Sequence, residues 1–257
     1  MDNLTIDING KCNIGCKFCY QNLDGSLLSK KEVLKIVDQN ASSEIIEIGG
    51  GEPFLHKELS DIVEGIVARG KRVHISTNAT FIPQNILEME EDVRRNVIMQ
   101  VSLHASDRER YIAITGKDFF DKVIENAKRL RDLYTTVLSA AIYKENFDQV
   151  ETILQIGYKL GIPTRINLVM PVGNGRNVEL LSPQEVNLLT GILLVEKIAH
   201  PSLVESPLLH QLNCPALCKA YGLKKTGTCP LEVGLKEYVS PRGEQLGCEF
   251  LPAEATN

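Results

Sequence analysis

The sequence predicts an α/β fold: a partial (β/α)6 TIM-like barrel with a small Cys-rich C-terminal extension containing a β-hairpin. Three observations carry this expectation. A short run rich in Val, Ile and Leu, followed by an amphipathic helix pattern, recurs about six times. Strand–helix alternation of that kind builds a parallel sheet with right-handed crossovers. Near residue 200 the pattern stops, and the remaining segment is rich in Cys, Pro and Gly. The expected division is residues 1–200 for the barrel and 201–257 for the extension. A chain of 257 residues with 43% hydrophobic content is long enough for both.

The six expected strands are Leu4–Asn9, Glu44–Ile48, Arg72–Ser76, Val97–Leu103, Thr135–Ile142 and Thr164–Met170. They read as parallel strands buried on both faces. Between them lie the helices. Ser29-Lys30-Lys31-Glu32 has the form of a capping box that opens the first. Lys57–Arg69 is the second. Asp118–Leu133 places Phe119, Val123, Ala127 and Leu130 at helical spacing. Asn146–Leu160 and Ser182–Ile198 complete the set, the last with Pro183 at the first helical position. In the extension, Leu235–Val239 and Gln245–Glu249 flank the turn Ser240-Pro241-Arg242-Gly243. This segment is too small to bury its own core, which favours a metal-stapled appendage.

Bulk properties exclude several functions. The net charge of −5 does not provide the basic face that nucleic acid requires. No apolar run approaches the roughly 20 residues that span a bilayer, so no membrane association is expected. The N-terminus lacks a basic and apolar export signal, so a cytoplasmic location is expected. In a reducing compartment, seven cysteines do not read as disulfides. They fall into two groups, Cys12, Cys16 and Cys19 near the start and Cys214, Cys218, Cys229 and Cys248 near the end. Such clustering points to metal.

The first group lies in Cys12-Asn13-Ile14-Gly15-Cys16-Lys17-Phe18-Cys19, directly after the first strand. Functional groups of parallel α/β sheets sit at such C-terminal strand ends. Three thiolates in one loop ligate three irons of a cubane and leave the fourth open. A zinc loop is the competing reading, but structural zinc wants four N or S ligands and no fourth is near. After the second strand comes Gly49-Gly50-Gly51-Glu52-Pro53. It is neither a Walker loop nor a dinucleotide fingerprint.

The C-x3-C-x2-C spacing, followed one strand later by Gly-Gly-Glu-Pro, resembles the radical S-adenosylmethionine (SAM) superfamily over about residues 4–200. The resemblance implies a [4Fe–4S] cluster on Cys12, Cys16 and Cys19, with SAM on its open iron. It implies that Gly50, Gly51 and Glu52 receive SAM's ammonium, and that Ser76, Asn78 and Ser102 meet its ribose or carboxylate. Met170, with Val169, would lie against adenine. Cys229, Gly243 and Cys248 match the C-x(9–15)-G-x4-C signature of SPASM and twitch domains. With Cys214 and Cys218 they would ligate a second, auxiliary [4Fe–4S] cluster in a shortened twitch-type end; a zinc knot uses the same ligands.

The implied activity is reductive cleavage of SAM and hydrogen abstraction from a substrate. That substrate is a peptide or a small molecule such as a sugar or aminocyclitol alcohol, with a narrow preference for peptide. Partners implied are an external one-electron reductant of flavodoxin or ferredoxin type and, for a peptide substrate, a separate recognition protein, because the chain starts almost on its first strand. A non-catalytic iron–sulfur or zinc-binding electron carrier is the reading from another class. Candidate acid/base groups at the barrel mouth are His104, Tyr20, Arg176 and Lys144. His104 stands where many relatives with peptide substrates carry Asp.

Overall fold

The computed structural model describes residues 3–21, 23–205, 214–224 and 236–246. The first six strands are β1 (Asn3–Asn9), β2 (Ile45–Gly50), β3 (Arg72–Thr77), β4 (Val97–Ser102), β5 (Thr135–Ile142) and β6 (Thr164–Leu168). Helices α1 (Lys30–Gln39) and α2 (Leu59–Val67) follow β1 and β2. Two single-turn helices, α3 (Gln84–Leu87) and α4 (Glu91–Arg94), lead to β4, and α5 (Arg108–Thr115) and α6 (Phe120–Leu133) lead to β5. Then come α7 (Val150–Leu160) after β5 and α8 (Pro183–Ala199) after β6. A two-residue strand β7 (Val204–Glu205), a short helix α9 (Pro215–Ala220) and a hairpin of β8 (Lys236–Val239) and β9 (Gln245–Leu246) close the described chain.

Local chemistry explains the helix starts. Ser29 and Ser182 each accept from the backbone three residues on, while Glu32 and Glu185 reach back to the serine N–H. Each reciprocal pair satisfies two orphan donors. Pro183 sits in the first turn of α8, where its missing N–H costs nothing. The helix expected from Asn146 begins instead as a 3-10 turn, Lys144–Gln149, because Asn146 is held by Tyr143 and becomes α-helical only at Val150.

The described residues form one open sheet in the order β7-β6-β5-β4-β3-β2-β1-β8-β9. All neighbours are parallel except β8 and β9. This is the partial barrel expected, with β7 added at one edge. The other edge differs from expectation in kind. The hairpin is not a separate sheet: β8 pairs with β1 from Asn3↔Lys236 to Ile6↔Val239 and so extends the barrel wall. Arg242 at its turn also pairs with Asp24 at 2.6 Å, beyond the cysteine loop. Among the described residues no helix is long and apolar enough to cross a membrane.

β1 and β5 are buried on both faces, whereas β2, β3, β4 and β6 alternate between buried and more exposed positions. Leu4, Ile6 and Ile8 of β1, Ile46 and Ile48 of β2 and Val73 and Ile75 of β3 pack outward beneath the helices. The alternate positions turn inward and are polar: Thr5, Asp7, Glu47, His74, Ser76, Gln100, Ser102, Ser139, Arg165 and Asn167. A half-open barrel leaves that face without a second layer, so the period-2 alternation of a one-sided sheet replaces the continuous apolar run.

Candidate functional site

The loop after β1 carries Cys12, Cys16 and Cys19, and the ends of three other elements hold it. Gly51 N–H donates to Asn9 at 2.6 Å and Glu52 N–H to Lys11 at 2.8 Å, tying it to β2. Gly15 and Lys17 donate to Thr115 and Ile114 at the end of α5. Asn174, beyond β6, donates to the Cys19 carbonyl at 2.8 Å. So fixed, all three thiols border a cavity of about 390 Å³ that runs down the inside of the sheet. Burial pushes the Cys16 thiol up to about 12, helped by Cys19 and Cys12. Burial raises Cys12 and Cys19 as well. Crowded thiols of this kind ionise when a cation offsets their mutual repulsion. Among the described residues no three His, Cys, Asp or Glu side chains converge closely enough to share one metal ion.

The glycines at the end of β2 let the cysteine loop pass close by. Gly50 has φ of 112°, and a Cβ there would lie 2.4 Å from the Asn9 carbonyl oxygen. A Cβ on Gly51 would lie 2.1 Å from the Lys11 carbonyl oxygen. Only glycine lets the two backbones pass so closely. Both glycines line the cavity.

Glu52 makes its bonds within the protein. Its side chain is 1% exposed and turned away from the cavity. Oε1 accepts from the Thr77 hydroxyl at 2.6 Å and from Phe54 N–H at 2.9 Å, and Oε2 accepts from Asn78 N–H at 2.6 Å. The carboxylate therefore locks the end of β3 to the glycine loop. Burial outweighs these donors and pushes its pKa up to about 7. Asn78 is likewise committed to the protein. Its Nδ2 donates to Asn13 at 2.8 Å and contacts Cys12 Sγ at 3.7 Å, while Oδ1 accepts from Thr80.

Ser76, Ser102 and Met170 line the cavity, Ser76 accepting from Gln100 at 3.0 Å. Tyr20 is at the rim and 37% exposed. Lys144 and Arg176 are not part of the wall: Lys144 is drawn off by an ion pair with Glu185, and Arg176 sits in an exposed 3-10 turn. His104 lies in the wall, its ring edge-on to Phe18 of the cysteine loop with centroids 4.8 Å apart.

Several wall residues were not anticipated. Asp7 accepts from Gln21 of the cysteine loop and from Tyr238 of β8, both at 2.7 Å. Glu47 accepts from Asn3 and Thr5. Arg165 bridges Glu205 and Gln100, the latter at 2.9 Å. The signal was their alternation within apolar strands.

A family model described as the radical SAM superfamily matches residues 6–157. The chain belongs to the radical SAM superfamily. A relative described as a probable GTP 3′,8-cyclase, from Saccharolobus islandicus (strain Y.N.15.51 / Yellowstone #2), is 31% identical over 186 residues, covering 68% of this chain and 59% of its own. The GTP 3′,8-cyclase of Clostridium perfringens (strain SM101 / Type A) is 24% identical over 198 residues, 72% of this chain and 61% of that protein. This radical SAM chain thus spans about three fifths of the length of these curated relatives. Among solved structures, Streptococcus suis SuiB bound to its precursor peptide SuiA superposes with a TM-score of 0.80 at 16% identity, over 99% of this chain and 61% of SuiB. The structure of anSMEcpe with bound AdoMet gives 0.71 at 16% identity, over 96% and 74%. These two likenesses establish a shared fold.

Of the second cysteine group, Cys214 caps α9 and Cys218 is buried in its last turn. Tyr221, just beyond, anchors the helix to Val169 at 2.7 Å, at the end of β6. Cys229 and Cys248 lie outside the described residues.

Proposed function

We propose that this protein is a radical SAM enzyme whose [4Fe–4S] cluster is held by Cys12, Cys16 and Cys19. The carrying observation is that Cys12, Cys16 and Cys19, from one loop, border a single cavity. Three thiolates on one loop suit a cubane with one open iron better than a structural zinc, which wants four ligands. When bound, the cluster supplies an electron to SAM's sulfonium, giving methionine and a 5′-deoxyadenosyl radical that takes hydrogen from substrate.

The chain's own residues bind, orient and exclude water. Gly50 and Gly51 present backbone to the ligand, Ser76 and Ser102 present hydroxyls, and Met170 covers an apolar surface. Glu52 and Asn78 hold the cysteine loop and the β3 end in register. The remaining wall sets Asn167, Ser139, Gln100 and Arg165 beside the apolar Ala141 and Leu168. Those polar groups offer partners to a small hydrophilic substrate, such as a sugar, aminocyclitol or nucleotide. Peptide modification remains the second reading, favoured by the fold shared with SuiB in its complex with a precursor peptide. Cys214, Cys218, Cys229 and Cys248 would hold an auxiliary cluster, and a flavodoxin or ferredoxin would supply electrons. A separate peptide-recognition protein belongs to the second reading only.

The test is anaerobic reconstitution, reduction with dithionite in the presence of SAM, and assay for 5′-deoxyadenosine. The product is expected from the native chain and not from Cys16→Ala. An electron carrier forms none, and undiminished product from Cys16→Ala overturns the assignment.

A further inference from the structure

We propose that the outward face of α8 docks the same face of a second copy of this chain, with the two helices antiparallel about a two-fold axis at Gly191. The basis is an inversion of the usual surface helix. α8 has three charged residues, and each is bonded back to the protein. Glu185 pairs with Lys144, Glu196 accepts from the Tyr158 hydroxyl at 2.6 Å, and Lys197 donates to the carbonyls of Pro201 and Val204. The face centred on Gly191 carries no charge. Leu188, Leu194, Val195 and Ile198 are each more than half exposed, Ile198 at 82%. The polar residues that share the face, Gln184 and Asn187, are neutral. Surface helices normally turn charge outward, as α6 does with exposed Lys122, Glu125, Lys128 and Asp132.

Gly191, at the middle of this face, is not explained by the packing of its own chain. Its φ is not positive, and a Cβ there would meet nothing within 4 Å. The glycines of α2 and α7 differ: a Cβ on Gly65 would lie 2.9 Å from Leu34, and one on Gly157 2.0 Å from Thr164. A glycine inside a helix weakens it. One with no neighbour to accommodate suits an approach from outside the chain. With the two-fold axis at Gly191, glycine faces glycine and the helix backbones pass closely. Leu188 then meets Leu194 of the second copy, since the two lie equally far from Gly191 on either side.

The chemistry of the face selects the occupant. A helix that lies on a membrane carries Lys and Arg beside its apolar face, and here the one lysine is bonded to backbone carbonyls. A soluble partner of other sequence is selected largely by charge complementarity, and this face offers none. A second copy brings the identical uncharged strip, and its two-fold pairing closes on itself. Antiparallel helices also set their dipoles head to tail. The strip is about 25 Å long and 10 Å wide. Even with the relief of its side chains, that falls below the roughly 800 Å² per partner of a standard interface, which makes the dimer weak and concentration-dependent. No residue of α8 lines the cavity, so the proposal is independent of the radical SAM reading.

The experiment is sedimentation velocity on the full chain, anaerobic and reducing, over a range of concentrations. The native protein is expected to pass from monomer to dimer with a Kd in the micromolar range. Val195→Glu should weaken the dimer about 100-fold or more, because it sets an unpaired carboxylate in the interface. Gly191→Ala should weaken it about 5- to 10-fold by holding the backbones apart. The same change should raise the thermal midpoint of the dilute monomer by about 2–4 °C, since alanine is the better helix former and has room. A glycine needed only within its own chain would not split the two readouts. Leu188→Lys and Leu194→Glu should each weaken pairing, and the double variant should recover most of the loss, because each ammonium then faces a carboxylate of the other copy. All these positions are exposed, and circular dichroism confirms that each variant folds. A native chain still monomeric at about 200 μM, well above that range, overturns the proposal. So does a dimer indifferent to Val195→Glu, or a double variant no better than its singles.

Discussion

Raising the pH from 5 to 8 should destabilise the metal-free native chain relative to Glu52→Gln. Glu52 is buried, and its pKa moves from an ordinary 4.5 to about 7 on folding. The folded state thus binds the proton more tightly than the unfolded state. The resulting stability is full below pH 4.5 and is lost as the pH rises through 7. At 1.36 kcal/mol for each tenfold change in proton affinity, the whole span is worth roughly 3 kcal/mol. Glutamine is neutral at every pH and mimics the protonated acid, so its stability lacks this slope. Urea unfolding under anaerobic, reducing conditions at pH 5, 6, 7 and 8 provides the comparison, with other titrating groups cancelling in the difference. The two proteins should lie within about 1 kcal/mol at pH 5. Glutamine should be ahead by about 2 kcal/mol at pH 8. The opposing force is explicit: three donors at 2.6 to 2.9 Å stabilise the charged carboxylate. A difference that is flat, or that favours the native chain as pH rises, shows that those donors outweigh burial and refutes the reasoning.

Gly51→Ala drives a Cβ to within 2.1 Å of the Lys11 carbonyl oxygen; the cysteine loop must shift, so iron per chain after reconstitution should collapse while circular dichroism reports an intact fold losing about 1–3 kcal/mol. Asn78→Ala removes the contact to Cys12 Sγ and the 2.8 Å bond to Asn13; the cluster's potential, followed by electron paramagnetic resonance during redox titration, should become more negative, because hydrogen bonds to ligating sulfur favour the reduced state. Tyr238→Phe deletes the 2.7 Å bond to Asp7 and should cost about 2 kcal/mol in urea unfolding, with little further loss when combined with Asp7→Asn.

The parts of the site written in consecutive residues were legible in the sequence. Cys12, Cys16 and Cys19 need only a loop, and Ser29 and Ser182 need only their own first turns. What depended on a distant partner was not legible. Nothing local says that Glu52 turns toward Thr77 and Asn78, since an extended residue after two glycines can face either way. Asn78, an ordinary turn residue by composition, acquires its role from Asn13 and Cys12 across the barrel. The inward polar set was visible as alternation at Thr5 and Asp7, at His74 and Ser76, and at Gln100 and Ser102, but an assumption of double-sided burial hid it. Parallel pairing of β8 with β1 has no sequence signature at all, because no turn chemistry links the two strands.

That pairing gives the chain a timetable. Asp7 and Tyr238 are 231 positions apart, so the edge beside the cysteine loop stays bare until nearly the whole described chain has been made. At translation speeds of about 5–20 residues per second this is an interval of roughly 10–50 s. During it, an unpaired strand is open to unwanted pairing with other chains. An incomplete chain has Cys12, Cys16 and Cys19 but lacks the tyrosine that braces Asp7 behind them. Metal loading on the ribosome would thus meet a half-supported loop, and synthesis of β8 becomes a structural checkpoint for the loop that follows β1.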